Sequence, residues 1–492
     1  MSAHGEAARI VVIGSGPSGA MAAHELTRLG THVMLLEAGL KPPDGLIVKV
    51  AGHVLLRWRT GGQLLEDRHV SLGDPQTEWF SSMSPGGLSN YWTAAVPRFA
   101  PEDFTDGGRI DERFVWPLTY PELEPYYELA EEVLSISGST RSLPTLPAGV
   151  VRYPSEMPSG WRAVAEASGA DRFTVMPLAR GGRWIVARRG SEFNSYHVIV
   201  KPLETASTFE LRLGARVTRI IVDLAVRAAT GVEYVDAATG VLSVMRCDAV
   251  VLAAGAIDSA RILLSSKSPS TDQGLGNDNG VVGRYLHDHP REWWVADFEK
   301  PLPLVAHPIY LARQPYAGSQ PLRGSSATIG RASTWQRPME WAHRPGNRFG
   351  VQIFGTMIPD EAVGVELLAA DARSSAHPRV GLRIRYSDAD VATLSAAQAN
   401  FQSIFADAGY PVKVMPEAWM PRPGSSVHFA GCVRMHENPA FGVLDRWGAI
   451  HGTPNVVVAD LGAFTTNPEK NPTLTSMALA ARAVRHLAEG LR

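Results

Sequence analysis

Cysteine is nearly absent. Cys247 and Cys432 are the two in 492 residues, too few for a disulfide framework or a cysteine-built zinc site, so each is read as a small buried apolar residue. Neither sign of charge is in excess. With 47 Lys and Arg against 49 Asp and Glu, nothing draws the chain to nucleic acid or an anionic membrane. No apolar run is long enough to span a bilayer. No basic segment with an apolar core precedes the first apolar run, so the expectation is a soluble, cytoplasmic protein with no membrane partner. Internal repeats and biased tracts are also missing. What remains is an ordinary globular composition on a chain longer than one usual domain.

The most informative stretch is Arg9 to Gly39. A β-branched run, Ile10 to Ile13, turns at once into Gly14-x-Gly16-x-x-Gly19. A small-residue helix follows and stops at Gly30. Val33 to Leu36 then gives a second strand, with Glu37 at its end. Gly14 permits the tight turn, Gly16 lets backbone approach a pyrophosphate, and Gly19 lets the helix lie close on the sheet. Phosphates would sit on the helix N-terminus, and Glu37 would accept from the adenosine ribose. The motif predicts a dinucleotide without separating NAD from FAD.

Further along, Ser84-Pro-Gly86-Gly87-Leu-Ser-Asn90-Tyr91-Trp92-Thr93 suits a loop lying flat against a planar ligand. Thr119, Pro121 and early acids start a helix over Glu122 to Ser135. Strands are predicted at Leu211–Val217, Gly231–Val235, Val241–Arg246 and Asp248–Ala253, the last entering a helix that ends at Leu264. From about Gly283 the pattern changes. Alternating segments around Phe349–Thr356 and Val380–Tyr386, with a helix over Ser387 to Ala408, indicate an α+β unit. Asn455–Asp460 is a buried strand ending in an acid. Asn471-Pro472-Thr473 opens a long helix reaching Leu491.

Taken together, Gly14-x-Gly16-x-x-Gly19 with Glu37, Gly86-Gly87, Ala253-Ala-Gly255, His428-x-x-Gly431, the Asn455–Asp460 strand and Asn471-Pro-Thr473 resemble the glucose–methanol–choline oxidoreductases, in family order. The resemblance implies a Rossmann-like α/β FAD domain (residues 1–150, 190–287 and 425–492). It also implies an α+β substrate domain with a mainly antiparallel sheet (151–189 and 288–424). FAD contacts are then expected from Gly14, Gly16, Ser18, Gly19, Glu37, Ala38, Gly86, Gly87, Tyr91, Trp92, Thr93, Val217, Ala254, Asp460, Asn471 and Thr473. Within the family, Gly87 to Thr93 is most similar to pyranose oxidases and bacterial glycoside 3-oxidases. Tyr91 falls where fungal pyranose oxidases carry a flavin-linking histidine, so a non-covalent FAD is expected.

Alcohol oxidation needs a base for the O–H proton and an acceptor for the C–H hydride, and histidine, whose unperturbed pKa of about 6.5 lies near working pH, suits the first task. His428 falls on the family's catalytic histidine and Asn471 on its partner position. Gln352 matches a sugar-contacting glutamine, so Gln352, His428 and Asn471 form the expected substrate set. The expected reaction is oxidation of a sugar or glycoside ring alcohol, with O2 or another acceptor. A carrier-linked dehydrogenase, a flavin-containing hydroxynitrile lyase and an NAD enzyme are the alternatives. His287 and His289 lack a third ligand for a metal and are read as structural, as are His436 and His451.

Overall fold

In the first strand, Arg9–Ile13, every residue after Arg9 is buried. Strands covered on both faces read as such continuous apolar runs. The computed structural model describes residues 9–40, 69–74, 77, 81–169, 171–180, 193–223, 225–269, 271–299, 309–312, 326–330, 348–368, 378–416 and 422–491. In it, Arg9–Ile13 pairs in parallel with His32–Glu37 on one side and Ala249–Leu252 on the other. Phe209–Leu213 and Thr453–Val458 extend this sheet in parallel, and Ala449–Ile450 closes one edge antiparallel.

Helix Thr473–Gly490 is almost wholly buried, as expected for a helix with few polar positions. It packs on the first helix, Pro17–Arg28. Ser18 Oγ and Ser476 Oγ are 2.6 Å apart, and Arg485 Nε donates to the buried Glu25 carboxylate at 2.8 Å. Helix Tyr120–Leu134 begins with the Glu122 carboxylate accepting from the Thr119 backbone N–H and hydroxyl, both at 2.9 Å, and its Tyr127 hydroxyl meets Thr475 Oγ1 at 2.8 Å. Arg98, on the preceding segment, is buried against this helix. Its Nε and Nη2 both bond the Glu131 carboxylate at 2.7 Å.

The predicted Leu211–Val217 strand is broken. Gly214 takes φ +73° and donates to Gly39 O at 2.9 Å, which ends Phe209–Leu213 in the parallel sheet. Ala215–Asp223 then starts a separate antiparallel sheet with Ala228–Asp236 and Leu242–Arg246.

A second six-stranded sheet is antiparallel throughout. Its order is Val412–Pro416, Arg291–Phe298, Arg348–Phe354, Ser326–Gly330, Ile309–Leu311 and Phe173–Val175. Helices Ser159–Ser168 and Asp388–Asp407 enclose its core, where Trp161, Phe173, Phe298 and Phe401 crowd around Phe405. Within 288–424, the pair Gly364–Leu367 and Val380–Arg383 goes elsewhere. It joins His69–Ser71, and Val365, Val380 and Leu382 are buried in the larger core beneath the parallel sheet. Residues 41–68 lie outside the described residues. Among the described residues no helix is long and apolar enough to cross a membrane.

Candidate active site

Gly14, at φ +99°, turns the chain out of the first strand, and a Cβ there would lie 2.5 Å from Ala253 O. A Cβ on Gly19 would lie 2.0 Å from Gly14 O. Larger residues would therefore push the helix off the turn. Gly16 is different: a Cβ there meets nothing within 4 Å, and the helix beyond it has no side-chain cap. Open room over uncapped N–H groups is what a pyrophosphate needs. Helix Thr473–Gly490 is likewise without a side-chain cap at its start.

Both helix starts face one cavity of about 490 Å³. It is lined by Gly14, Gly16, Ser18, Glu37, Ala38, Gly87, Tyr91, Trp92, Thr93, Val217, Ala254, Asp460, Asn471 and Thr473. Gly19 and Gly86 are not on its wall and act behind it. Gly86 N donates to Ser15 Oγ at 2.9 Å, which ties the two glycine segments together.

Glu37 has more to do than the sequence reading gave it. It is buried, and its Oε2 accepts from Ser15 N (3.0 Å) and Ser15 Oγ (2.5 Å), while Oε1 accepts from Gly39 N (2.7 Å). One carboxylate thus braces the glycine turn and still reaches the cavity wall. Glu37→Gln replaces an acceptor by a donor here, so FAD retention should fall while turnover of the loaded fraction stays near wild type. FAD content after gel filtration, with activity per bound flavin, is the check. A loss of turnover at unchanged FAD content would remove the assignment. Asp460 also has protein partners. It accepts from Gly255 N (2.9 Å), Ser259 Oγ (2.6 Å) and Gly462 N (2.7 Å). Burial pushes its pKa up, against those three donors.

The same cavity is lined by Arg291, Gln352 and Phe354 of the antiparallel sheet and by Gly424 to Phe429. His428 and Asn471 come together here: Asn471 Nδ2 donates to His428 Nε2 at 3.2 Å. The imidazole is held between His289, edge-on at 5.1 Å between centroids, and Phe354 at 5.2 Å. Burial drives its pKa well below 6.5, and His289 and Arg291 lower it further. The ring is therefore neutral at pH 7, with Nε2 as the acceptor. Asn467 Nδ2 donates to the His428 carbonyl at 3.1 Å.

The remaining histidines of interest bond to backbone. His287 Nδ1 meets Tyr285 O and His289 Nδ1 meets Gly355 O. Burial pushes them down to about 3 and about 4. His436 and His451 are bonded to Glu112 O and His436 O and lie off the cavity wall. Cys247 and Cys432 are buried thiols. Among the described residues no group of three or more His, Cys, Asp or Glu could hold a metal ion. Sequence reasoning missed Ser15, Ser476, Arg291 and Phe354. Ser15, inside the glycine motif, had a positional signal; the other three depend on distant partners.

A glycine turn beneath an uncapped helix, sharing a cavity with a neutral imidazole and a carboxamide between two six-stranded sheets, is the arrangement of a nucleotide-cofactor enzyme. Residues 117–291 match the N-terminal family model for GMC oxidoreductases, and residues 361–480 match the C-terminal one. This chain belongs to the GMC oxidoreductase family, and its cofactor is FAD. Relatives include 6'''-hydroxyparomomycin C oxidase of Streptomyces lividus, 29% identical over 98% of this chain and 91% of that protein. The 2-methyl-1,2-propanediol dehydrogenase of Mycolicibacterium austroafricanum is 28% identical over 96% and 94%. A C-glycoside 3-oxidase of Microbacterium trichothecenolyticum is 26% identical over 98% and 96%. The fold is that of pyridoxine 4-oxidase from Mesorbium loti, at TM-score 0.67 and 17% identity over 97% of this chain and 99% of that one.

Proposed function

We propose that this enzyme oxidises a secondary ring hydroxyl of a sugar or glycoside to a ketosugar, with O2 as acceptor and H2O2 as product. The observation that carries the reading is the contact of Asn471 Nδ2 with His428 Nε2 on the wall of the cavity shared with the glycine turn. The relatives named as a 6'''-hydroxyparomomycin C oxidase and a C-glycoside 3-oxidase support the substrate class.

In this reading Gly14 to Ser18 and the start of helix Thr473–Gly490 would hold the phosphates and flavin of FAD, and Glu37 the ribose. Bound there, the flavin supplies the hydride acceptor. His428 takes the hydroxyl proton on Nε2, the unprotonated nitrogen of its neutral ring. Asn471 donates to the same oxygen as negative charge develops on it, without competing for the proton. Gln352 and Phe354, from the antiparallel sheet, would contact the sugar ring.

The test is anaerobic bleaching of the flavin by a panel of free sugars and of O- and C-glycosides, with the oxidised carbon located by NMR. Peroxide on re-admission of air is the expected result. A reduced enzyme that persists in air but discharges to a quinone would instead make it a dehydrogenase, the activity named for the Mycolicibacterium relative. Cyanohydrin cleavage with no bleaching by any sugar would overturn the reading in favour of a lyase. FAD should be non-covalent, because the Tyr91 phenol cannot form a histidyl link. Acid precipitation is expected to leave all the flavin in the supernatant; yellow colour in the pellet would refute this.

A further inference from the structure

The proposed reaction leaves one buried acid of the His287–Pro290 segment without a task. The Asp288 side chain is 1% exposed. Its Oδ1 accepts from the Ser426 hydroxyl in a short hydrogen bond, and from the backbone N–H of His428 at 2.9 Å. Ser426 Oγ is in turn approached by His289 N at 3.3 Å. Between the two residues that Asp288 grips lies Val427, at φ +62°. A β-branched residue in the left-handed region is strained by about 1–3 kcal/mol and stays there only when its surroundings impose it. Beyond its packing on His289 and Phe354, the imidazole has no hydrogen bond on that side: among the described residues, His428 Nδ1 finds no partner.

We infer that Asp288 is a positioning residue for the base. By clamping both flanks of a strained turn it fixes the peptide plane from which the His428 ring projects toward Asn471. Without the clamp, Val427 relaxes toward an ordinary backbone conformation, and the ring leaves its place opposite the carboxamide. The inference rests on His428 acting as the base, as proposed above.

The experiment compares FAD-loaded wild type with Asp288→Ala, Asp288→Asn, Ser426→Ala and His428→Ala. Anaerobic stopped-flow reduction by the best sugar yields a limiting rate constant and a substrate Kd for each. Asp288→Ala is expected to lose about 10–10²-fold in limiting rate, the scale of an ångström-level misplacement, with Kd within about threefold of wild type. Asp288→Asn keeps an oxygen for the His428 N–H and should recover most of that loss, which a general defect in folding would not allow. Ser426→Ala removes one of the two grips and should fall between wild type and Asp288→Ala.

A wild-type rate in Asp288→Ala overturns the inference. So does an Asp288→Asn as slow as the alanine variant, because geometry would not then be the cause. If Asp288→Ala fails to fold or to hold FAD, Ser426→Ala decides: an unchanged rate there overturns it. His428→Ala separates the layers. If it reduces at wild-type rate, the base assignment itself is gone; if it is slow while Asp288→Ala is fast, only the positioning role is lost.

Discussion

His428→Ala is expected to slow anaerobic flavin reduction by about 10²–10⁴-fold, the usual worth of a general base, while the protein stays yellow. The ring touches Asn471, His289 and Phe354, and nothing in its contacts assigns it to holding FAD. Asn471→Ala should cost about 10²–10³-fold, the typical loss on removing one donor from a developing oxyanion. Because both groups act on one oxygen, the double variant should fall short of the product of the two losses. Stopped-flow reduction of each variant by the same sugar is the measurement. A His428→Ala enzyme at near wild-type rate would remove it from the mechanism, and His436 and His451, off the cavity wall, would be poor replacements.

The second large effect concerns stability. Glu131→Leu should cost about 3–5 kcal/mol, because it takes the two-bond carboxylate from the buried Arg98 guanidinium and leaves it only the half-exposed Glu124 carboxylate, 3.4 Å from Nη1. Both side chains are under 5% exposed and share two 2.7 Å bonds. The same carboxylate also accepts from Val150 N at 2.7 Å. Tyr120 Oη, 2.9 Å from Arg98 Nη1, softens the loss without cancelling it. The double variant Arg98→Leu/Glu131→Leu should recover much of the stability, since an apolar pair of similar volume often does as well as a buried ion pair. Thermal unfolding of FAD-saturated protein is the check. An unchanged midpoint in Glu131→Leu would show that the pair contributes nothing net.

Much of the parallel sheet was legible because its signals are local. The Ile10–Ile13 run, the glycine turn, the Thr119 cap and the Asn455–Asp460 strand each announce themselves within a few residues. His428 and Asn471 were singled out by resemblance, not by any local pattern, and the structure brings them within 3.2 Å of each other. What escaped were features fixed by partners far away in sequence. The glycine at 214 reads as an ordinary strand residue until Gly39 O is seen to end the strand there. The alternation around Val380 announces a strand but not which core it joins, and pairing with His69–Ser71 decides that. Asp288 reads as one acid between two histidines, because its partners Ser426 and His428 lie about 140 positions on.

The contact between Pro17–Arg28 and Thr473–Gly490 also bears on the order in which the enzyme is made. The first strand has Ala249–Leu252 as a neighbour, and that strand's own outer neighbour is Thr453–Val458. The helix that covers the opening glycine turn comes later still, with Ser476 bonded across to Ser18. A ribosome that has made only the first half of this chain therefore holds the glycine turn without the second helix, and a sheet that still lacks both Ala249–Leu252 and Thr453–Val458. Pairings of such separation form slowly. In such a chain Gly14 to Ser18 would lack the cavity wall that Asn471 to Thr473 form in the finished protein.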